Sequence, residues 1–438
     1  MRAFEAPVGK WHANCDDLFK TKRKGDVLEN RDLKGTRDGP ELPCEGLPVW
    51  KAGQGFGFLS GIRILDLTTS VAGPYGTMLL SDFGAEVIKV ERPEGDDARH
   101  WGPPFLGGQS LWFSSVNRNK KSVVLDLQSG EGRERLLALV RTADVVVTNQ
   151  PVNVQRKLRL DHESLSAERE DLIFVSITGF GLSGARSELT CYDLIAEGYS
   201  GVMDVTGQAD GAPQKIGAPA ADMLAGQDAA MATIAALFDR ARTGKGRKID
   251  ISLVESMTRF LTCRLSSYLG SGDVPRRSGG TDSVIAVYQS FDTADFPINL
   301  GLGTDGIWTR FWDVVGDAEF GRRPEFSSNT ARREHRQEIV ERIQDILRTR
   351  ARAEWLDIFA TARVPAGPIN RLDEVAQDQD LQDRGMFFAL EGADQGLVPQ
   401  IGLGIRIDDE PCVPRAAPPQ LGEHTEELMR QLDGMETN

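Results

Sequence analysis

Short apolar runs recur along the first two thirds of the chain, each followed by a helical stretch, and this alternation limits the fold more than any other feature. The runs are IRILDLT at Ile62–Thr68, EVIKVE at Glu86–Glu91, SVVLDL ending near Leu127, DVVVTN, LIFVSIT and KIDIS at Lys248–Ser252. Apolar on both sides and rich in Val and Ile, they read as strands buried on both faces, and helices between them imply crossover connections. A mostly parallel, doubly wound α/β sheet is expected. In such sheets ligands sit beyond the C-terminal strand ends, where the loops Ser70–Gly76, Asn149 and Gly179 gather. The first of these loops has Gly73 and Gly76 but lacks GxGxxG, so no dinucleotide fingerprint is read.

With 438 residues the chain exceeds one small core. Residues 1–57 are polar and turn-prone and read as an N-terminal extension, with Trp11 and Trp50 as its ordering groups. Residues 58–270 form a large domain. SGDVPRRSGG interrupts the pattern near Gly270–Gly280, and residues 271–384 form a smaller α+β domain that includes a long charged helix from Arg332 to about Arg348. Residues 385–438 return to the large domain.

Composition excludes several classes. A net charge of -14 argues against nucleic-acid binding. The five histidines show neither HExxH nor HxH spacing, so no metal is expected. The longest apolar stretch, Ala229–Phe238, is too short for a bilayer, and no signal peptide is read. Cys15, Cys44, Cys191, Cys263 and Cys412 are scattered and odd in number, which fits reduced thiols and a soluble cytoplasmic protein.

The segment KIGAPAADMLAGQDAAMATIAALF, Lys215–Phe238, opens with small residues and Pro219 and turns into a long Ala-rich helix at Asp222. By local sequence Asp222 is an N-terminal helix residue, and capping is its plainest role. The small residues Ala218, Ala220, Ala221, Ala225 and Gly226 suggest a sparsely filled pocket around it. A carboxylate at a helix N-terminus is expected to stay ionised near neutral pH and to attack a carbonyl carbon without a separate base.

In order along the chain, GIRILDLTTSVAGPYGTMLLSDFGAEVIKVERPEGD, NRNKKSVVLDL, VSITGFGLSG, YDLIAEGYSG, GAPAADMLAGQDAAMATIAAL, RTGKGRKIDISLVESM, VPAGPIN and LGEHTEELM resemble the family III CoA-transferases over roughly Leu59–Leu432. The resemblance implies a Rossmann-like domain built from both chain ends, a smaller inserted domain, and an interlocked dimer. Asp222 matches the catalytic aspartate, and Asp193 an acidic residue on the neighbouring helix. Val71 and Ala72 align with the loop receiving the adenine and ribose of CoA, and Arg92 with a basic residue near its phosphates. Arg118, Lys120 and Lys121, and the pair Arg156 and Lys157, suit an anionic nucleotide tail. Asn149 keeps the Asn of the ENFRPG motif in an altered TNQPVN.

The implied substrates are an acyl-CoA and a carboxylic acid, with CoA as a substrate moiety and no tightly bound cofactor. The implied partner is a second copy of the chain, or alternatively a homologous subunit in a heteromer. An acyl-CoA racemase is the competing activity; its branch places His before Asp193, where this chain has Tyr192, a poor proton acceptor.

Overall fold

The computed structural model describes residues 42–436; residues 1–41, with Trp11 and Cys15 of the extension, lie outside the described residues. In chain order the strands are β1 (Val49–Trp50), β2 (Arg63–Leu67), β3 (Glu86–Glu91), the hairpin β4 (Phe105–Leu106) and β5 (Gln109–Ser110), β6 (Lys120–Val124), β7 (Val145–Thr148), β8 (Ile173–Thr178) and β9 (Arg247–Ser252). The helices among them are α1 (Ala72–Asp82), α2 (Leu111–Ser115), α3 (Gly130–Thr142), α4 (Val152–Leu158), α5 (His162–Ser166), α6 (Asp193–Ser200), α7 (Val202–Val205), α8 (Ala220–Thr243), α9 (Leu253–Phe260) and α10 (Thr262–Ser271).

Six strands form one sheet in the order β6-β3-β2-β7-β8-β9, and every neighbouring pair is parallel. Numbered along the chain this is 3-2-1-4-5-6, the Rossmann-like order, with its switch point between β2 and β7. Successive residues face opposite sides. Ile64, Val87, Val145 and Ile173 bury into a core roofed by α1, α8 and α9. Leu65, Ile88, Val146 and Phe174 bury into a second core with α3 and the C-terminal helix Thr425–Glu436, which contributes Leu428 and Leu432.

Farther along, β10 (Tyr288–Phe291), β11 (Ile298–Gly301) and β12 (Ala366–Pro368) make an antiparallel sheet. It packs on an aromatic core of Trp308, Phe311, Trp312, Phe326, Trp355 and Phe359, drawn wholly from residues 287–364. The long helix expected from Arg332 is two, Asn329–Glu334 and Arg336–Leu347, broken at His335. Two further strands, β13 (Phe387–Gly392) and β14 (Gly396–Ile401), form a hairpin on which β1 docks in parallel. Trp50 stacks on Phe388 at 4.1 Å. Val49 and Trp50, which fall within the extension expected over residues 1–57, belong to this sheet.

The element that positions the site is the packing of α1 on α8. Each helix runs back from the C-terminal edge of the sheet, so both start at that edge. They approach backbone to backbone through Gly76 and Gly226: a Cβ on Gly226 would lie 2.6 Å from the Ala72 carbonyl, and one on Gly76 would lie 2.7 Å from the Gly226 carbonyl. Ala221 and Ala225 are buried in the core on that side of the sheet. Of the small residues expected to line a sparsely filled pocket around Asp222, Gly226 makes room for α1. Helix α1 also takes in Gly73, Pro74 and Gly76, most of the loop expected over Ser70–Gly76.

Gly226→Ala should cost about 1–3 kcal/mol, because the carbonyl it meets cannot step aside. Gly270→Ala in α10, whose added Cβ meets nothing within 4 Å, should be neutral or slightly stabilising. Urea unfolding of both variants checks this, and equal effects would refute the close-approach reading.

Candidate active site

Asp222 lies in the first turn of α8. It does not cap its own helix: the N-cap position is Pro219, which offers no side-chain acceptor. The cap comes from α6, where Asp193 Oδ1 accepts from the backbone N–H groups of Ala221 at 2.8 Å and Asp222 at 3.3 Å. An N-cap contact of this kind is worth about 1 kcal/mol. One turn along α6, Glu197 Oε2 accepts from the Ile216 N–H at 3.0 Å, on the segment leading into α8. Two carboxyl groups four residues apart thus hold the start of the helix bearing Asp222.

Asp222 is half-buried, and among the described residues no donor reaches its side chain. Burial, and secondarily the Asp193 carboxylate, pushes its pKa up to about 7. The expectation of a fully ionised Asp222 at neutral pH is corrected by this, since desolvation and a like charge together outweigh the helix N-terminus. Cys191 sits in the same environment: burial first, then Asp222 and Asp193, raise its thiol to about 11, so it is no thiolate nucleophile.

A cleft of about 450 Å³ opens at the same edge of the sheet, beside the switch point, and includes Thr68, Thr69, Arg92, Asp96, Leu127 and Gln150 in its walls. Its floor loop is held under strain. Ser70 has φ 69°, a left-handed conformation costing about 1 kcal/mol or more for a non-glycine residue. The Ser70 N–H donates to Asp96 Oδ1 at 2.9 Å, and Asp96 Oδ2 pairs with Lys89 Nζ at 2.8 Å. Lys89 also donates to the Thr68 carbonyl at 2.8 Å. Burial would push the Lys89 ammonium down, yet Asp96 and Asp66 beside it hold it above its ordinary value.

The residues expected to receive CoA are distributed unevenly. Val71 and Ala72 are buried at the start of α1, and the Ala72 carbonyl faces Gly226. Arg92 lines the cleft, where its Nε donates to Gly95 and its guanidinium pairs with Asp97. Asn149 closes the switch point, with its Oδ1 accepting from the Thr69 N–H at 3.0 Å and its Nδ2 donating to the Thr69 carbonyl at 2.8 Å. Lys157 on α4 is exposed and has no ion-pair partner among the described residues, next to Leu158 in the cleft wall, whereas Arg156 pairs with Glu188.

The basic cluster expected at Arg118, Lys120 and Lys121 requires correction. Arg118 is 2% exposed, clamped bidentately on Asp82 and bonded to the Ile401 carbonyl. Lys120 is buried against Asp66 Oδ2 at 2.9 Å and the Pro74 carbonyl at 2.8 Å. Lys121 pairs with Glu86 at the N-terminal end of the strands, away from the cleft. Buried and paired, the first two serve the fold. Sequence reasoning passed over Lys89, Asp96 and Glu197. For Glu197 a signal existed, since it lies one helical turn from Asp193.

A Rossmann-like sheet with a switch-point cleft and a donor-free carboxyl at a helix start defines an α/β enzyme of the group-transfer kind. The family model described as CoA-transferase family III matches residues 59–425, and the chain belongs to this family. The succinate–glutarate CoA-transferase of Agrobacterium fabrum (strain C58) is 37% identical over 86% of this chain and 96% of the relative. Human succinyl-CoA:glutarate CoA-transferase is 33% identical over 85% of this chain and 86% of the relative. The acetyl-CoA:oxalate CoA-transferase of Acetobacter aceti is 34% identical over 86% and 96%. The crystal structure of a CAIB/BAIF family protein from Brucella suis aligns with a TM-score of 0.77 at 38% identity, covering 86% of this chain and 99% of that one. The chain is accordingly a family III CoA-transferase enzyme.

The Asp222 carboxyl binds its proton more tightly in the folded protein than in the unfolded chain. Its contribution to stability is therefore complete below the unfolded value of 3.8 and is lost as pH rises through about 7. The stability difference between Asp222→Asn and the unmodified protein should swing toward the variant from about pH 4 to about pH 8. Denaturant midpoints across that range test this, and a flat difference would show that Asp222 titrates normally.

Proposed function

We propose that this enzyme moves CoA from an acyl-CoA thioester to a carboxylic acid with Asp222 as the nucleophile. The observation that carries this is the Asp222 carboxyl itself, free of donors, half-buried and held at a capped helix start at the position matching the family's catalytic aspartate. A carboxylate that no hydrogen bond stabilises is a better nucleophile than one already satisfied.

In the proposed sequence an Asp222 oxygen attacks the thioester carbonyl and the C–S bond breaks, giving a mixed anhydride and CoA thiolate. The thiolate attacks the Asp222 carbonyl and releases the donor acid, leaving an aspartyl-CoA thioester. The acceptor carboxylate then attacks that thioester, regenerating an anhydride and thiolate, and thiolate attack on the acceptor carbonyl frees Asp222. Every step exchanges acyl groups between oxygen and sulfur, and no redox partner enters. The relatives are named for succinate, glutarate, mesaconate and oxalate. On that support, donor and acceptor are proposed to be dicarboxylic acids.

A homodimer is part of the proposal. Helices α6, α8, α9 and α10 expose Leu194, Ile195, Met231, Phe238, Phe260 and Leu269, with Met231 62% and Phe238 67% exposed. Apolar side chains this exposed on adjoining elements call for a covering surface, and a second copy fits the family's interlocked assembly. The walls it supplies would keep water from the anhydride. Cys44, Cys191, Cys263 and Cys412 are free, which suits a reducing cytoplasm.

Incubation with acyl-CoA thioesters and isotope-labelled dicarboxylic acids in deuterated water should place label in new CoA thioesters; deuterium at the alpha carbon without transfer would favour the racemase. Asp222→Ala should lower transfer by at least about 10³-fold, and mass spectrometry of the quenched enzyme should find CoA on the peptide bearing Asp222. Because an attacking carboxylate must be unprotonated, kcat/KM should fall as pH drops below about 7. Sedimentation of the purified chain should give twice the monomer mass, and a monomer that turns over would remove the dimer from the proposal.

A further inference from the structure

Glu197 is 0% exposed, one helical turn beyond Asp193 on α6. Its Oε2 takes the Ile216 N–H, but no donor reaches its Oε1. The charged groups that bear on it are the Asp193 carboxylate beside it and the Lys215 ammonium, whose Nζ donates to the Ile216 carbonyl. Asp193, by contrast, receives two backbone N–H groups. The same Asp193 carboxylate bears on a third carboxyl, Asp222. Three anions so placed, with one fully buried oxygen lacking any donor, are electrostatically untenable, and a proton must reside on one of them. Asp222 also lacks donors but is only half-buried, so burial selects Glu197, whose Oε1 is fully enclosed with no donor beside the Asp193 carboxylate.

We propose that Glu197 is a neutral carboxylic acid in the working enzyme, a positioning residue whose O–H donates to Asp193 while its other oxygen holds Ile216. It thereby fixes the cap on α8 and keeps a second negative charge away from Asp222. Burial, and the Asp193 charge after it, raise the Glu197 pKa, in agreement with this assignment. The role rests on the transfer reading of Asp222 only for its kinetic consequences, since the protonation state belongs to the resting protein.

The substitutions Glu197→Gln and Glu197→Leu separate the alternatives. The amide of Glu197→Gln keeps a donor toward Asp193 and an acceptor for Ile216 with no change of charge if Glu197 is neutral. Its kcat/KM should stay within about threefold, and the acidic limb of its pH profile should not move. An ionised Glu197 would give the opposite result: removing a negative charge near Asp222 would shift that limb to lower pH, and the proposal would fall.

Glu197→Leu removes the donor and leaves the Asp193 charge acting on Asp222 undamped. The limb should move to higher pH and kcat/KM should drop by about tenfold or more. A lower melting temperature with unchanged limb and unchanged kcat/KM would mean that Glu197 only supports the fold, and would also overturn the proposal. One readout needs no turnover: infrared difference spectra of unmodified minus Glu197→Gln protein at neutral pH should show a protonated-carboxyl band, and a carboxylate pair in its place would refute the assignment. If transfer itself failed in the unmodified enzyme while this band was present, the reading of Asp222 would be lost and that of Glu197 kept.

Discussion

The hydrogen bonds from the first turn of α8 to Asp193 are the interaction on which the site depends. Helix starts leave backbone N–H groups unpaired, and a helix whose own N-cap is proline must find acceptors elsewhere. Here they come from another helix, so the capping contact also docks α6 on α8. The same oxygen that satisfies these donors places a negative charge beside Asp222. Stabilisation of the helix and destabilisation of the Asp222 anion are two effects of one carboxylate.

The placement of α8 in turn relies on α1. Gly76 and Gly226 bring the two backbones together, and α1 begins where the strained loop from Thr68 to Val71 ends. That loop is secured from below by Lys89, which joins Asp96 to the Thr68 carbonyl, and from the side by Asn149. A buried ammonium with these partners has a defined geometry, because any shift would leave a charge unpaired at a cost of several kcal/mol. The cleft floor and the helix carrying Asp222 are therefore parts of one rigid construction, set at the switch point by packing rather than by loop flexibility.

Much of this was legible in the chain. Apolar runs spaced by helices led to the parallel sheet. The position of Asp222 at a helix start was equally readable from GAPAADM. Long-range partners were not. Arg118, Lys120 and Lys121 precede a strand and look like a surface patch, but Asp82 and Asp66, distant in sequence, draw the first two inside. Nor could local pattern show that Gly226 faces α1, because small residues serve close helix packing and ligand access alike. The raised pKa needed both the burial and the neighbour from α6, neither of which a helix N-terminus alone reveals.

A pKa near 7 is the compromise this chemistry asks for. A carboxylate surrounded by donors would be fully ionised at neutral pH, yet the bonds that lower its pKa would have to loosen as its charge moved onto the attacked carbonyl. Burial, with no donors and with Asp193 beside it, raises the energy of the Asp222 anion, so its pKa climbs to about 7 and protonated and ionised forms coexist near neutral pH. The protonated share cannot act, whereas in the proposed mechanism the remaining anion is more basic and has no hydrogen bonds to shed before it attacks. The same reasoning sets a limit. A further negative charge beside Asp222 would drive it toward its neutral form at neutral pH, so under the proposed mechanism the protonation of the carboxyl groups on α6 bears on the fraction able to attack.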